Sequence, residues 1–400
     1  MSAVRSRPTP LQKTIIPCKS NTYGEFLFRV HRKVHSFLAY MKSSRLTYPC
    51  YKISEERKVN KLVFMINDLT PNRFSKKDSF FNESYSLRTY LRYKSILMRL
   101  LIIVLLLFMS IFSFGQMLND SSFDASVSHP KYKKQEGPNI LIDAGHHNFI
   151  VEMGLIKPFV ALSNNDGYKT NIDSGVFTTD YLAKYQLLLI TPAMPFKFGS
   201  KKDVTTEITF TNQELTALKN WVTSGGSLII LSEHAPIDKS MNPLFNTFGI
   251  QSSIGVVYDT INCDTTVKVS YFETILQFTS GNKLLNKNHP LIKGRNKHEV
   301  VNNIETYTGC ALSGSNYTNI FKLGSTAGIR KWNGISPSGG GDSQCLAGSY
   351  GEGKIVALGD CNGFTAMYVN SGGKKLLAGM QVDQYDWKQF VLNTLHWLSK

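Results

Sequence analysis

Four short apolar runs, each closed by polar residues, constrain this chain more than any other feature. Ile140-Leu141-Ile142 ends in Asp143, Leu187 to Ile190 in Thr191-Pro192, Leu228 to Leu231 in Ser232-Glu233-His234, and Ile355 to Leu358 in Gly359-Asp360. Runs this short, apolar without alternation, fit strands covered on both faces. Helical stretches lie between them. Phe149 to Ser163 leads to the turn Asn164-Asn165-Asp166-Gly167, and Tyr168-Lys169-Thr170 predicts a further strand. Thr211-Asn212-Gln213-Glu214 has the form of a capping box, and Leu215, Leu218, Trp221 and Val222 share one face before the Gly225-Gly226 stop. Strands alternating with helices predict right-handed crossovers and a parallel sheet with helices on both faces.

From about residue 252 to 341 the pattern changes. Turn residues, a β-like run from Thr265 to Tyr271, and a Gly/Ser-rich stretch from Ser336 to Ser343 predict a β-rich insertion. Cys345 to Tyr350 and Lys354 to Leu358 then flank Gly351-Glu352-Gly353 as a hairpin, and Asp386 to Leu398 predict a closing amphipathic helix. Residues 116–138 are polar, hold Lys131, Lys133 and Lys134 near two prolines, and are expected to be a linker to a domain spanning 139–400.

The net charge of +16 is unevenly placed: residues 1–97 hold 19 Lys/Arg against 6 Asp/Glu, whereas the rest hold 26 against 23. The downstream region shows no basic stripe with stacking aromatics, which sets a nucleic-acid partner aside. Met98-Arg99 precedes Leu100 to Phe114, in which only Ser110 and Ser113 are polar, and Ser113-Phe114-Gly115 supplies small residues for cleavage. Residues 98–115 are therefore expected to be a signal peptide that exports the remainder to the periplasm or beyond. On this reading translation starts at Met98, and residues 1–97 are an upstream segment. The alternative is a single-pass anchor with a basic cytoplasmic tail, although the run is shorter than the ~20 residues a spanning helix needs. Contact with a membrane is expected only if the signal stays uncleaved.

Four cysteines lie downstream: Cys263, Cys310, Cys345 and Cys361. In an oxidising compartment they permit two disulfides in any of three pairings, and none forms the CxxC spacing of a structural zinc site.

Three stretches resemble the class I glutamine amidotransferase-like superfamily, and within it the exported branch called domain of unknown function 4350. They are Ile140-Leu141-Ile142-Asp143-Ala144-Gly145-His146-His147, then Phe210-Thr211 through Gly225-Gly226-Ser227-Leu228-Ile229-Ile230-Leu231-Ser232-Glu233-His234, and finally Tyr350-Gly351-Glu352-Gly353-Lys354-Ile355-Val356-Ala357-Leu358-Gly359-Asp360. The resemblance implies an α/β fold with a flavodoxin-like parallel sheet. It extends to trehalose-utilisation-like proteins, which suggests a carbohydrate-related role by analogy alone. An amidotransferase places its nucleophile in a G-x-C-x-G elbow after the strand that here ends at Leu231. This chain reads Ser232-Glu233-His234-Ala235-Pro236 there, so thioester chemistry has no thiolate and no glycine-permitted turn.

In parallel sheets ligands bind beyond the carboxyl ends of the strands. That rule gathers Asp143, His146 and His147 from the first strand, Ser232, Glu233 and His234 from the fourth, and Asp360 and Asn362 from the last. Asp143, His146 and His234 are candidate ligands for a divalent metal, while His146, His234 and Glu233 are candidates for acid–base work. Asp143, His147, Ser232, Asp360 and Asn362 are candidate ligand-binding residues. Each has a structural alternative as a helix cap, turn or solvated loop residue. Trp332, beside Asn333-Gly334, either stacks on a sugar or tucks under its own loop. Two functions follow: a non-catalytic domain binding a small molecule, glycan or protein partner, or a hydrolase, metal-assisted or not.

Overall fold

In the computed structural model, residues 92, 94–96, 98–99, 116–200, 202–204, 206–267, 269–371 and 374–399 are described. The chain divides into Met1–Met98, whose few described residues are helical, and Arg99–Lys400, which carries everything below. Apart from Met98 and Arg99, the expected signal peptide lies outside the described residues, as does nearly all of the basic upstream segment. No helix among the described residues is long and apolar enough to cross a membrane.

Along the chain come β1 (Gln116–Asn119), β2 (Asn139–Asp143), α1 (Phe149–Glu152), α2 (Lys157–Asn165), β3 (Lys169–Asp173), α3 (Thr179–Leu182), β4 (Leu187–Ile190), α4 (Asn212–Thr223), β5 (Ser227–Leu231) and α5 (Ile237–Thr247). The β-rich stretch holds β6 (Gln251–Ser252), β7 (Val256–Asp259), β8 (Ile275–Thr279), α6 (Pro290–Lys293), β9 (Asn303–Tyr307), β10 (Leu312–Ser313), β11 (Thr318–Lys322) and β12 (Ala327–Arg330). The chain closes with β13 (Ser343–Tyr350), β14 (Gly353–Leu358), β15 (Ala366–Ser371), β16 (Lys374–Gly379) and α7 (Trp387–Leu398).

The molecule is mixed α/β. Its main sheet has nine strands in the order β3-β2-β4-β5-β14-β13-β10-β6, with β11 also paired to β13. Strands β3 to β14 along that order are parallel, and those beyond β14 are antiparallel. The expectation of a parallel sheet therefore holds for one half and is corrected for the other. The reason is the Gly351 turn, which sends β14 back beside β13 without a helical crossover. Gly351 sits at φ 58°, and a Cβ there would meet Thr223 O at 2.6 Å.

The four apolar runs are buried throughout, as expected. Ile140, Ile142, Leu189, Ile229 and Leu231 pack with Phe159 of α2 and Trp387 and Phe390 of α7, while Leu141, Leu188, Leu228 and Ile230 pack with Leu218 of α4 and Leu244 and Phe245 of α5. Each such side chain contributes roughly 2 kcal/mol of burial, so both faces of the sheet anchor the strand ends firmly. Thr211 caps α4, with the Glu214 carboxylate reaching back to its N–H. The helix expected over Phe149–Ser163 is broken between Glu152 and Lys157, with Gly154 at φ 69° in the gap.

Two further expectations change. The supposed linker opens with β1, which pairs with β15, and Lys131 Nζ donates to His396 O at 2.8 Å. Its polar sequence hid backbone pairing that side chains do not reveal. Thr265 to Tyr271 forms no strand in its described residues; it links β7, paired with β12, to β8, paired with β9.

Candidate functional site

The parallel strands β2, β5 and β14 release their polar residues on one edge of the sheet, yet the residues form two clusters of different character.

At the end of β2, Asp143 Oδ1 accepts from Gly145 N at 2.9 Å, and Oδ2 meets His146 Nδ1 at 2.8 Å and Asn148 Nδ2 at 2.7 Å. The other ring nitrogen, His146 Nε2, lies 3.2 Å from Glu214 Oε1. Phe177 and Phe210 pack on the imidazole, with ring centroids 4.8 and 4.5 Å away. Burial pulls the His146 pKa down, but Asp143 and Glu214 outweigh it and leave it raised. Every strong hydrogen-bonding position is spent. His146 has no free nitrogen for a base or a ligand, and Asp143 has both oxygens engaged. His147 turns outward at φ 44° and pairs with Glu152 at 2.8 Å, with 44% of its side chain exposed.

At the ends of β5 and β14 a second set assembles. Glu233 Oε1 accepts from His234 N at 3.0 Å, and Oε2 accepts from Asn362 Nδ2 at 3.1 Å and from the Cys361 thiol at 3.2 Å. Asp360 takes Asn362 N, Asn362 Nδ2 and Tyr307 N. Burial raises both carboxyls, and the Asp360 charge further disfavours ionisation of Glu233. Gly359 sets this placement, because a Cβ there would fall 2.0 Å from Cys310 O. Ser232 is wholly buried beside the Cys310 thiol, out of reach as a nucleophile.

The metal expectation is corrected here. His146 bonds Asp143 through one nitrogen and Glu214 through the other, whereas His234 packs on Trp332 at 5.0 Å. Among the described residues, Glu233, Asp360 and Cys361 are the set whose ligand atoms lie within 4.8 Å of one another. The two carboxyl groups already accept from Asn362, Tyr307 and His234, and the Cys361 thiol donates to Glu233, so the set is satisfied by the protein itself. Disulfides are corrected too: all four described cysteines are free and buried.

A cavity of about 540 Å³ adjoins the second set. His234 and Asn362 border it from the parallel strand ends, Tyr307 and Thr308 from the end of β9, and Trp332 from the loop after β12. His234 Nδ1 lies 2.8 Å from Ala235 O, a carbonyl that can only accept, so the proton sits on Nδ1. Burial lowers the ring's pKa, and no described residue bonds Nε2. The imidazole therefore offers the cavity a lone pair. Glu305 and Asp264 also line it, the former accepting from both Tyr307 OH and Tyr385 OH. Sequence reasoning missed this pair and Tyr385. Glu305 stands between Ile304 and Thr306 in a strand, and a buried acid flanked in that way was the available signal.

The structure thus brings together Glu233, His234, Asp360 and Asn362, with Ser232 buried beneath. It holds Asp143 and His146 in the other cluster and leaves His147 at the surface.

No family model and no curated protein matches the chain. Among solved structures, it is similar to the mmIFT52 N-terminal domain, at 17% identity over 65% of this chain and 96% of that one, with a TM-score of 0.43. It is also similar to thua-like proteins from Parabacteroides merdae ATCC 43184 (13% identity, 66% of this chain, 90% of that one, TM-score 0.36) and Bacteroides uniformis ATCC 8492 (12%, 70%, 95%, TM-score 0.33). All three TM-scores fall below 0.5.

Proposed function

We propose that this chain is an exported, non-catalytic domain of class I glutamine amidotransferase-like fold that binds a small organic ligand in the cavity beside His234. The observation that carries the reading is the cavity itself. Its volume suits a small ligand, apolar walls surround a few convergent polar groups, and it opens at the carboxyl ends of parallel strands. The parallel order β3-β2-β4-β5-β14 supports the flavodoxin-like arrangement, since it runs second, first, third, fourth, last. The missing nucleophile supports a binding role, because Ser232 and all four described thiols are buried and burial pushes the Cys310, Cys345 and Cys361 thiols up. A fragment screen followed by NMR tests it: binders that shift His234 and Trp332 and are lost in Trp332→Ala are expected. Binders that map elsewhere, or none at all, would overturn it.

One observation favours hydrolysis as a second reading. The neutral His234 ring presents Nε2 to the cavity, where it can accept a proton from water. Turnover of ester or glycoside substrates that vanishes in His234→Ala while the fold persists would replace binding with catalysis.

A further inference from the structure

The walls of the cavity differ by element, and the difference narrows the ligand. Met117, Met367, Val369 and Leu377, from the sheet of β1, β15 and β16, make an apolar side. Tyr271, Tyr307, Trp332 and Tyr385 bring aromatic rings, and Trp332 meets Tyr271 edge-on at 6.0 Å. A sugar needs hydrogen-bond partners around most of its rim, and the apolar side offers it none.

Charge leads in the same direction. Tyr385 OH bonds Glu305 and lies 3.3 Å from Asp264 Oδ2, so both carboxyls gather on one phenol at the cavity wall. Lys375, the cation among the described lining residues, is met by Asp120 at 3.6 Å and lies over the Tyr368 ring at 4.1 Å. Burial disfavours the charged form of His234, so the ring adds little positive charge. The cavity therefore presents acid and π-faces with little opposing positive charge.

We infer that the cavity takes an organic ammonium ion bearing an apolar substituent, its charge among the aromatic rings beside Asp264 and Glu305 and its substituent against the apolar side. This rests on the cavity being the ligand site proposed above. A consequence separates it from a neutral ligand. Burial pushes the Glu305 carboxyl up to about 7 against the hydrogen bonds of Tyr307 and Tyr385, while Thr266 holds Asp264 below the usual range despite its own burial. The charged or titratable groups facing Glu305 are Asp264 from the loop after β7, Tyr307 on its own strand and Tyr385 before α7, with His234 and Lys375 on the same cavity. A bound cation ionises Glu305 and expels its proton. Affinity should then rise about tenfold from pH 6 to pH 8, the ratio of ionised fractions for a group titrating near 7.

The test is calorimetric titration of the full chain with benzyltrimethylammonium, glucose and phenylacetate at both pH values, in two buffers of different ionisation heat. The expected result is binding of benzyltrimethylammonium with proton release and the tenfold gain, and Glu305→Gln binding it with no pH dependence. Binding of glucose or phenylacetate in its place, abolished by Trp332→Ala, would overturn the ammonium inference and leave the ligand site standing. Uptake of none of the three would also overturn it, and the fragment screen would then decide the ligand site separately. Ammonium binding that is unchanged in both Trp332→Ala and Glu305→Gln would place the ion elsewhere and overturn it as well.

Discussion

The end of β2 and the ends of β5 and β14 carry the same chemistry, imidazole beside carboxylate on one edge of one sheet, yet they do opposite things with it. At β2, His146 uses both nitrogens, Asp143 uses both oxygens, and two phenylalanines close over the ring. At β5, His234 uses one nitrogen and turns the other to a cavity. The first arrangement joins β2 to α4 through Glu214, and the second leaves capacity for a ligand. Polar residues at a strand end mark a site only where their hydrogen-bonding capacity is not already consumed within the fold.

The largest expected effect that sharpens this contrast is on stability. His146→Ala removes the partner of two buried carboxylates and should cost about 3 kcal/mol, while His234→Ala should cost under about 1 kcal/mol; chemical denaturation measures both. Equal losses would erase the distinction. A smaller effect is expected in pH dependence. Because the His146 pKa is raised in the fold, its contribution is complete below the ordinary histidine value of 6.5 and fades as pH climbs through the raised value. Melting temperature of the parent protein should accordingly fall above pH 6.5, with that portion of the fall absent in His146→Ala.

Glu233 and Asp360 act in the same sense. Their carboxyls are raised in the fold, so stability is lost as pH rises through the raised values, and Glu233→Gln should flatten that part of the decline. A steeper decline in the variant would mean that the pair is ionised and held by other charge. The smallest expected effect is chemical. Buried, protonated thiols should leave Cys263, Cys310, Cys345 and Cys361 unlabelled by a thiol reagent in the native state and labelled after unfolding. Rapid native labelling of Cys361 would open the β14 cluster to solvent.

Much of the scaffold was legible because its signals are local. Leu228 to Leu231 and Ile355 to Leu358 can be little other than buried strands, and Thr211 with Glu214 announces a helix start within four residues. The antiparallel half was not, since β10 and β6 are two residues each and owe their existence to neighbours. β1 was invisible for a related reason: its pairing with β15 runs through backbone groups, which any sequence carries. The candidate site divided similarly. Strand ends pointed to Glu233, His234, Asp360 and Asn362, but whether a polar group is spent depends on distant partners. Glu214 read as a cap, and it is also the residue that closes His146. Asp264, Glu305 and Tyr385 come from separate parts of the chain and meet only through tertiary packing.

The contrast between the two ends is most directly tested by long-range proton–nitrogen NMR of the histidine rings from pH 5.5 to 8. The arrangement predicts a His146 ring with both nitrogens protonated past pH 6.5 and a His234 ring that gives up its charge below pH 6.5, its remaining proton on Nδ1. A His146 ring that loses its proton below 6.5, or a His234 ring that is charged at pH 7, would contradict it.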